Sequence, residues 1–229
     1  MKLSILIPVY NEENTISKII DIIKKVDLGE INKEIVVVDD GSKDNSLNIL
    51  KKIDGIKLVA HSKNSGKGAA IRTAIKNSTG DIIIVQDADL EYDPNDYFSL
   101  ITPIIEYKAQ VVYGSRRLKK ENQKYSGLSF YLGGISLTWI TNVLYPFAKI
   151  TDEPTCYKVF KADILKNIKL NCKKFEFCPE VTAKVLKKGI KIYEVPISYY
   201  PRSVKEGKKI KAKDWFEAVW ALIKYRFIN

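Results

Sequence analysis

The sequence predicts an α/β fold with a Rossmann-like, mostly parallel sheet, helices on both faces, and a basic C-terminal part carrying amphipathic helices. Three observations predict it. Strand and helix patterns alternate through the first 115 residues. The strand patterns are unbroken β-branched runs, as expected for strands covered on both sides. Asp39, Asp40, Asp87 and Asp89 fall where strands end, and in such sheets ligands bind at the carboxyl ends of strands.

The elements follow in order. LSILIPV (3–9) reads as a buried strand. Glu12 to Val26 carries Ile16, Ile19, Ile20 and Ile23 at helical spacing. EIVVVDD (34–40) is a second strand, Asp44 to Ile53 a helix, and KLVAH (57–61) a third strand. Gly66 to Lys76 is helical, DIIIVQDAD (81–89) is a fourth strand, Pro94 opens a helix to about Tyr107, and QVVYGS (110–115) is a fifth strand. Further on, CYKVF (156–160) and IKIYEVPISYY (190–200) read as strands. Tyr125 to Ala148 has no charged residue, and its glycines, prolines, serines and threonines argue for a helix against protein or at a membrane interface rather than a span. The tail 214–227 sets Trp215, Val219, Leu222 and Ile223 on one helical face, suited either to the core or to a membrane surface.

Composition narrows the class. A chain of 229 residues with 45% hydrophobic and 28% charged residues is globular. Three Cys and one His disfavour a disulfide framework and a zinc site. The N-terminus lacks the pattern of a secretory signal, which points to the cytoplasmic side. The net charge of +11 is uneven: Met1–Ser115 has 14 Lys+Arg against 17 Asp+Glu (−3), and Arg116–Asn229 has 24 against 10 (+14). The basic half suits phosphate esters, anionic lipid or nucleic acid, but no nucleic-acid motif accompanies it, so no specific nucleic-acid partner is expected.

QDADLE (86–91) carries the most chemistry. Asp87 and Asp89, with Glu91 two further on, are hard oxygen ligands suited to Mg²⁺ or Mn²⁺ beside substrate phosphates. The plain alternative is an acidic turn. Asp39 in VVVDDGS (36–42) suits a base or ribose, or simply a tight turn with Gly41 at its unusual dihedral. SGKGAAIRTAI (65–75) fits neither the P-loop nor the dinucleotide fingerprint; Lys67 and Arg72 are either phosphate ligands or solvated. GSRR (114–117) and PRSVKEGKKIKAKD (201–214) are basic clusters able to meet phosphates, or solvated loops.

In order along the chain stand IPVYNEE (7–13), VVVDDGSKDNS (36–46), NSGKGAAIRTA (64–74), QDADLEYDP (86–94), GSR (114–116), TDEPTCYKVF (151–160), FEFCPEVTAKVLKKG (175–189) and VPISYYPRSVKEGKKI (195–210). Together they resemble glycosyltransferase family 2, the inverting GT-A type, and within it the dolichyl- or polyprenyl-phosphate sugar synthases. The resemblance implies one catalytic domain over 1–229, with a nucleotide-sugar half (1–115) and an acceptor- and membrane-facing half (116–229). It implies a nucleotide pocket lined by Pro8, Tyr10 and Glu12, and a base and ribose end at Val37 and Asp39. A metal would sit at Asp87, Asp89 and Glu91 with the Ala88 backbone, and Arg116, Arg202 and Lys208 would face the phosphates. Asp152 matches a position near the acceptor, so the implied catalytic set is Asp89, Asp152 and Arg202.

The implied reaction moves a sugar, mannose from GDP-mannose first and glucose from UDP-glucose next, to a polyprenyl or dolichyl phosphate. Glu91 does not decide the donor. Some relatives carry two C-terminal spans that this sequence lacks, so the implied membrane contact is peripheral, on the cytoplasmic face. Two rivals stand: a relative acting on a sugar hydroxyl, for which Asp152 would take the proton, and a receiver-like signalling domain built on Asp39, Asp40 and Asp87.

Overall fold

The computed structural model describes residues 1–119, 121–122, 127–202 and 212–228. Seven strands form one sheet in the order β3-β2-β1-β4-β6-β5-β7. They are β1 (Lys2–Val9), β2 (Asn32–Asp39), β3 (Lys57–Ala60), β4 (Ile82–Val85), β5 (Val111–Ser115), β6 (Lys158–Lys161) and β7 (Ile192–Pro196). β6 runs antiparallel to both neighbours; every other pairing is parallel. The helices are α1 (Ile16–Lys25), α2 (Ser46–Leu50), α3 (Lys67–Asn77), α4 (Tyr97–Ile105), α5 (Leu128–Leu144), α6 (Ala162–Lys166), α7 (Phe177–Lys187) and α8 (Ala212–Phe227).

The unbroken apolar strands are explained by two cores. Side chains alternate across a strand, so Ile82 and Ile84 enter one layer with α1 and α4, and Ile83 and Val85 enter the other with α3, α7 and α8. All four β4 side chains are at most 1% exposed. Each contributes roughly 1.5–3 kcal/mol by burial, which anchors the strand directly beneath the acids that follow it. Strand order reverses between β1 and β4, because β2 and β3 lie on one side and the remaining strands on the other. The carboxyl ends of β1 and β4 therefore frame the ligand crevice expected of such a sheet.

Boundaries differ from the sequence expectations in informative ways. The fourth strand stops at Val85, not Asp89, so Gln86–Asp89 is free to turn. The last strand stops at Pro196, leaving only a bridge between Tyr92 and Tyr199. α7 was not marked by periodicity, because nearly all its residues from Phe177 to Leu186 are buried and no polar face repeats. α8 packs Ala218, Ala221, Leu222 and Tyr225 inward, so the core-packing reading holds for that face, while Ile223 is 37% exposed. Among the described residues no helix is long and apolar enough to cross a membrane.

The glycines of SGKG admit the backbone of 172–174: Gly68 N donates to Lys174 O at 2.9 Å and Ala69 N to Lys173 O at 3.0 Å. Gly66 has φ +97°, and a Cβ there would lie 2.2 Å from Lys173 O. Gly66→Ala is therefore expected to cost about 2 kcal/mol or more. Chemical denaturation checks this, and an unchanged midpoint would contradict the close approach.

Candidate active site

A cavity of about 1120 Å³ opens where β1 and β4 end, lined by Pro8, Tyr10, Glu12, Asp87, Ala88, Asp89, Glu91, Arg116 and Arg202 among others. That volume is at the upper end of small-molecule sites. Most residues singled out from the sequence thus converge, although they are spread over nearly 200 positions.

The acids are met by two cations. Asp87 Oδ1 pairs with Lys67 Nζ at 2.6 Å, and Asp89 Oδ2 with Arg202 NH2 at 2.6 Å. Arg202 also reaches Glu12 Oε2 at 3.4 Å. Lys67, undecided from sequence between phosphate and solvent, is here a partner of the acid pair, and its side chain is 20% exposed. Burial opposes ionisation of Asp87, yet the Lys67 charge holds it below the usual carboxylate range. Asp89 goes the other way. Burial, then the charges of Asp87 and Glu91, push it up to about 7 against the pull of Arg202.

A divalent ion fits this site in one way and not in another. Asp87 and Asp89 are hard oxygen donors in a cluster whose own repulsion raises Asp89, so added positive charge there is favourable. Glu91, expected as a third ligand, has another role. Its Oε1 accepts from the Arg202 backbone N–H at 2.9 Å and its Oε2 from the Tyr199 hydroxyl at 3.0 Å. It fastens the 199–202 segment over the acids. Among the described residues no three His, Cys, Asp or Glu side chains group to hold a metal. An ion here would rest on two carboxylates and complete its shell with substrate oxygens, the usual habit of Mg²⁺.

Asp152, expected near the acceptor, has a partner of its own. It is fully buried, and its oxygens accept from Arg116 Nε and NH2, each at 2.7 Å, and from the Arg116 backbone N–H at 3.0 Å. Despite burial, the guanidinium keeps it ionised, below the usual range. It orients Arg116, which lies 5.0 Å over the Tyr199 ring and lines the cavity. Val37 is likewise not at the surface of the pocket: it is 0% exposed, inside the core of β2. Asp39 is fully buried too; Oδ2 accepts from Ser42 N at 3.1 Å, and Oδ1 has no hydrogen-bond partner among the described residues. Lys208 lies outside the described residues.

Two residues act as supports, Gln86, which the sequence patterns pass over, and Asp40, which they place at a strand end. Gln86 is fully buried; its Oε1 accepts from the hydroxyls of Tyr97 and Tyr157, each at 2.6 Å, and its Nε2 donates to Asp87 O at 2.9 Å. It fixes the turn from β4 into the acids. Asp40 ties the 61–66 loop down, accepting from Ser65 N and Gly66 N and pairing with His61. A polar residue between an apolar run and an acid was the available signal for Gln86.

This fold, with paired acids at a parallel strand end and cations around a large cavity, defines the GT-A class of nucleotide-sugar enzymes. Residues 4–169 match the family described as "Glycosyl transferase family 2", and the chain belongs to that family. It is 30% identical to a UDP-N-acetylglucosamine–dolichyl-phosphate N-acetylglucosaminyltransferase of Methanococcus voltae, over 90% of this chain and 89% of that one. It is 29% identical to a dolichol-phosphate mannosyltransferase of Pyrococcus furiosus, over 95% of this chain but 61% of the relative. In structure it matches glucosyl-3-phosphoglycerate synthase from Mycobacterium tuberculosis, crystallised with Mn²⁺, uridine diphosphate and phosphoglyceric acid. The TM-score is 0.77 and the identity 18%, covering 100% of this chain and 79% of that one.

The raised Asp89 sets a pH dependence. Its carboxyl holds a proton below about pH 7, and only the ionised form binds a metal. Mn²⁺ affinity, measured by calorimetry, is expected to rise between about pH 6 and pH 8 and then level off. An ordinary carboxylate near pH 4 would give a flat profile across that range.

Proposed function

We propose that this glycosyltransferase moves a sugar from a nucleoside diphosphate to a polyprenyl or dolichyl phosphate held at a membrane surface, with inversion at the anomeric carbon. The observation that carries the acceptor is the commitment of Asp152 to Arg116. A hydroxyl acceptor needs a group to take its proton. The carboxylate expected for that task is fully buried and paired. A phosphate monoester has its second pKa near roughly 6, so it arrives largely as the dianion and needs no strong base.

The donor half follows from the acids and their partners. Asp87 and Asp89 would hold Mg²⁺ or Mn²⁺, which when bound neutralises charge on the departing diphosphate. Lys67 and Arg202 stand in the same cluster and present cationic donors toward the same oxygens. Arg116, set by Asp152, adds a third cation at the cavity wall. Asp39 Oδ1, at the end of β2 and without a hydrogen-bond partner among the described residues, would reach the N–H of a nucleobase only after its buried side chain rearranged. Both uracil and guanine offer such a donor group, so Asp39 does not choose between them. We place UDP-linked sugars first, ahead of the GDP-mannose read from sequence, because the relative matched along most of both chains is named for a UDP-sugar.

The membrane side is supported by α5 and α8, which pack together through Trp215 Nε1 donating to Ser136 Oγ at 2.9 Å. Each carries an exposed apolar stripe at helical spacing. On α5 it is Leu128, Leu132, Trp139 and Val143; on α8 it is Phe216, Trp220, Ile223 and Phe227. Lys213, Lys224 and Arg226 lie on the same α8 helix. Aromatic and basic residues on an interfacial helix suit an anionic lipid surface.

Purified protein with Mn²⁺ is expected to transfer label from a panel of UDP-N-acetylglucosamine, UDP-glucose and GDP-mannose to a polyprenyl phosphate. Transfer only to sugar hydroxyls would contradict the acceptor. Asp89→Asn is expected to lower kcat/KM by about 10²–10³-fold. Replacing Phe216 and Trp220 together by Ser is expected to reduce binding to anionic vesicles about tenfold or more, read by co-sedimentation. Unchanged co-sedimentation would contradict the assignment of that face.

A further inference from the structure

A second cleft, of about 470 Å³, lies on another face of α3 and shares no lining residue with the catalytic cavity. Its walls are the end of β3, the loop 61–65 and the α3 face on which Ala69, Arg72, Thr73 and Lys76 recur at helical spacing. Three cations line it, Lys63, Arg72 and Lys76, and no carboxylate does. Among the described residues none of the three is in an ion pair. Arg72 and Lys76 also stand four apart on a helix, where like charges destabilise each other. Nothing in the fold or in the reaction described above balances this charge.

The cleft is held in shape from below. His61 Nδ1 donates to Asp40 Oδ1 at 2.7 Å, which leaves Nε2 to accept from the Thr73 hydroxyl at 3.0 Å. The same carboxylate accepts from Ser65 N at 3.0 Å and Gly66 N at 2.7 Å, so the acid beneath the loop is committed to the loop itself. The backbone at Lys63 lies against Gly41, where a Cβ would come 2.6 Å from the Lys63 carbonyl carbon. Arg72 is partly buried, and its Nη1 lies 3.5 Å from Cys172 O, which uses one of its five N–H donors. The guanidinium is thus a placed group, unlike a lysine free in solvent.

We propose that this cleft is a second anion site, separate from the catalytic one, that takes a ligand with two linked phosphate groups, with Arg72 as its anchor and Lys63 and Lys76 as flanking cations. A guanidinium fork takes two oxygens of one phosphate group. Arg72 and Lys76 stand about 6 Å apart along the helix axis, which favours a ligand with more than one anionic group. The hydroxyls of Ser62 and Ser65 add neutral donors at the same wall. The volume lies within the range of small-molecule sites. Two sources supply this chemistry: a soluble diphosphate, and adjacent headgroups of an anionic bilayer, since α3 packs in the same layer as α5 and α8. The site does not depend on which donor or acceptor the enzyme uses.

The test is lysine footprinting of the full chain in metal-free buffer. The protein is acetylated briefly with an N-hydroxysuccinimide ester, alone, with inorganic pyrophosphate, or with vesicles containing phosphatidic acid, and the modified lysines are mapped by peptide mass. Pyrophosphate at ten times its dissociation constant is expected to slow acetylation of Lys63 and Lys76 about tenfold, while Lys18, exposed on α1, is unchanged. Arg72→Gln is expected to abolish the protection of both lysines and to leave their rates without ligand at the wild-type values, which shows that the fold is kept. Lys76→Gln is expected to weaken the protection of Lys63. Protection by pyrophosphate assigns the soluble source; protection by vesicles alone assigns the headgroups. Protection by neither, protection of all exposed lysines alike, or protection that survives Arg72→Gln overturns the site.

Discussion

Negative charge concentrated above a fully apolar strand is the constraint on which the site depends. β4 ends in four side chains that no water reaches, and Asp87 and Asp89 follow within four residues of its last one. Carboxylates so placed cannot all ionise without compensation. The structure compensates Asp87 with Lys67 and Asp89 with Arg202, but burial, and then the charges of Asp87 and Glu91, still push Asp89 up to about 7. A cluster with more carboxylates than cations suits a divalent ion together with a diphosphate, since the two bring charges of opposite sign.

The neighbouring residues prepare this cluster. Gln86 joins two buried tyrosine hydroxyls to the Asp87 carbonyl, so the turn into the acids is fixed from below. Glu91 fastens Tyr199 and the Arg202 backbone, which brings a cation from the far end of the chain over acids of the fourth strand. Asp152 does the same for Arg116. Buried ion pairs of this kind are poor sources of net stability; here they set where positive charge stands at the cavity wall. The acceptor reading rests on the same fact, because an acid held by a guanidinium is unavailable as a base.

The front half of the fold was legible because its physics is periodic. Strands covered on both sides must be apolar throughout, and helices covered on one side must repeat every three or four residues, so β1 to β5 and α1 to α4 stood out. α7 was not legible, since a helix buried all round has no polar face to mark its period. In the site, strand ends pointed to Asp87 and Asp89 and the family resemblance added Glu12 and Arg202; all four line one cavity. Neither signal said which partner each acid would take. Glu91 and Asp152, expected at the metal and the acceptor, also hold Arg202 and Arg116 through contacts from residues far away in sequence. For Val37, a position near Asp39 does not say which side of the strand the side chain faces, and that side is the core.

The central claim is that nucleotide and metal meet at Asp87 and Asp89 and strengthen each other there. Calorimetric titration of UDP and GDP into the protein, with and without Mn²⁺, tests this most directly, because reciprocal enhancement is required of two ligands that share a site. The account predicts that Mn²⁺ tightens binding of one nucleotide about tenfold or more and that Asp89→Asn removes the enhancement while leaving the fold intact. Nucleotide binding that is indifferent both to Mn²⁺ and to Asp89→Asn would contradict it.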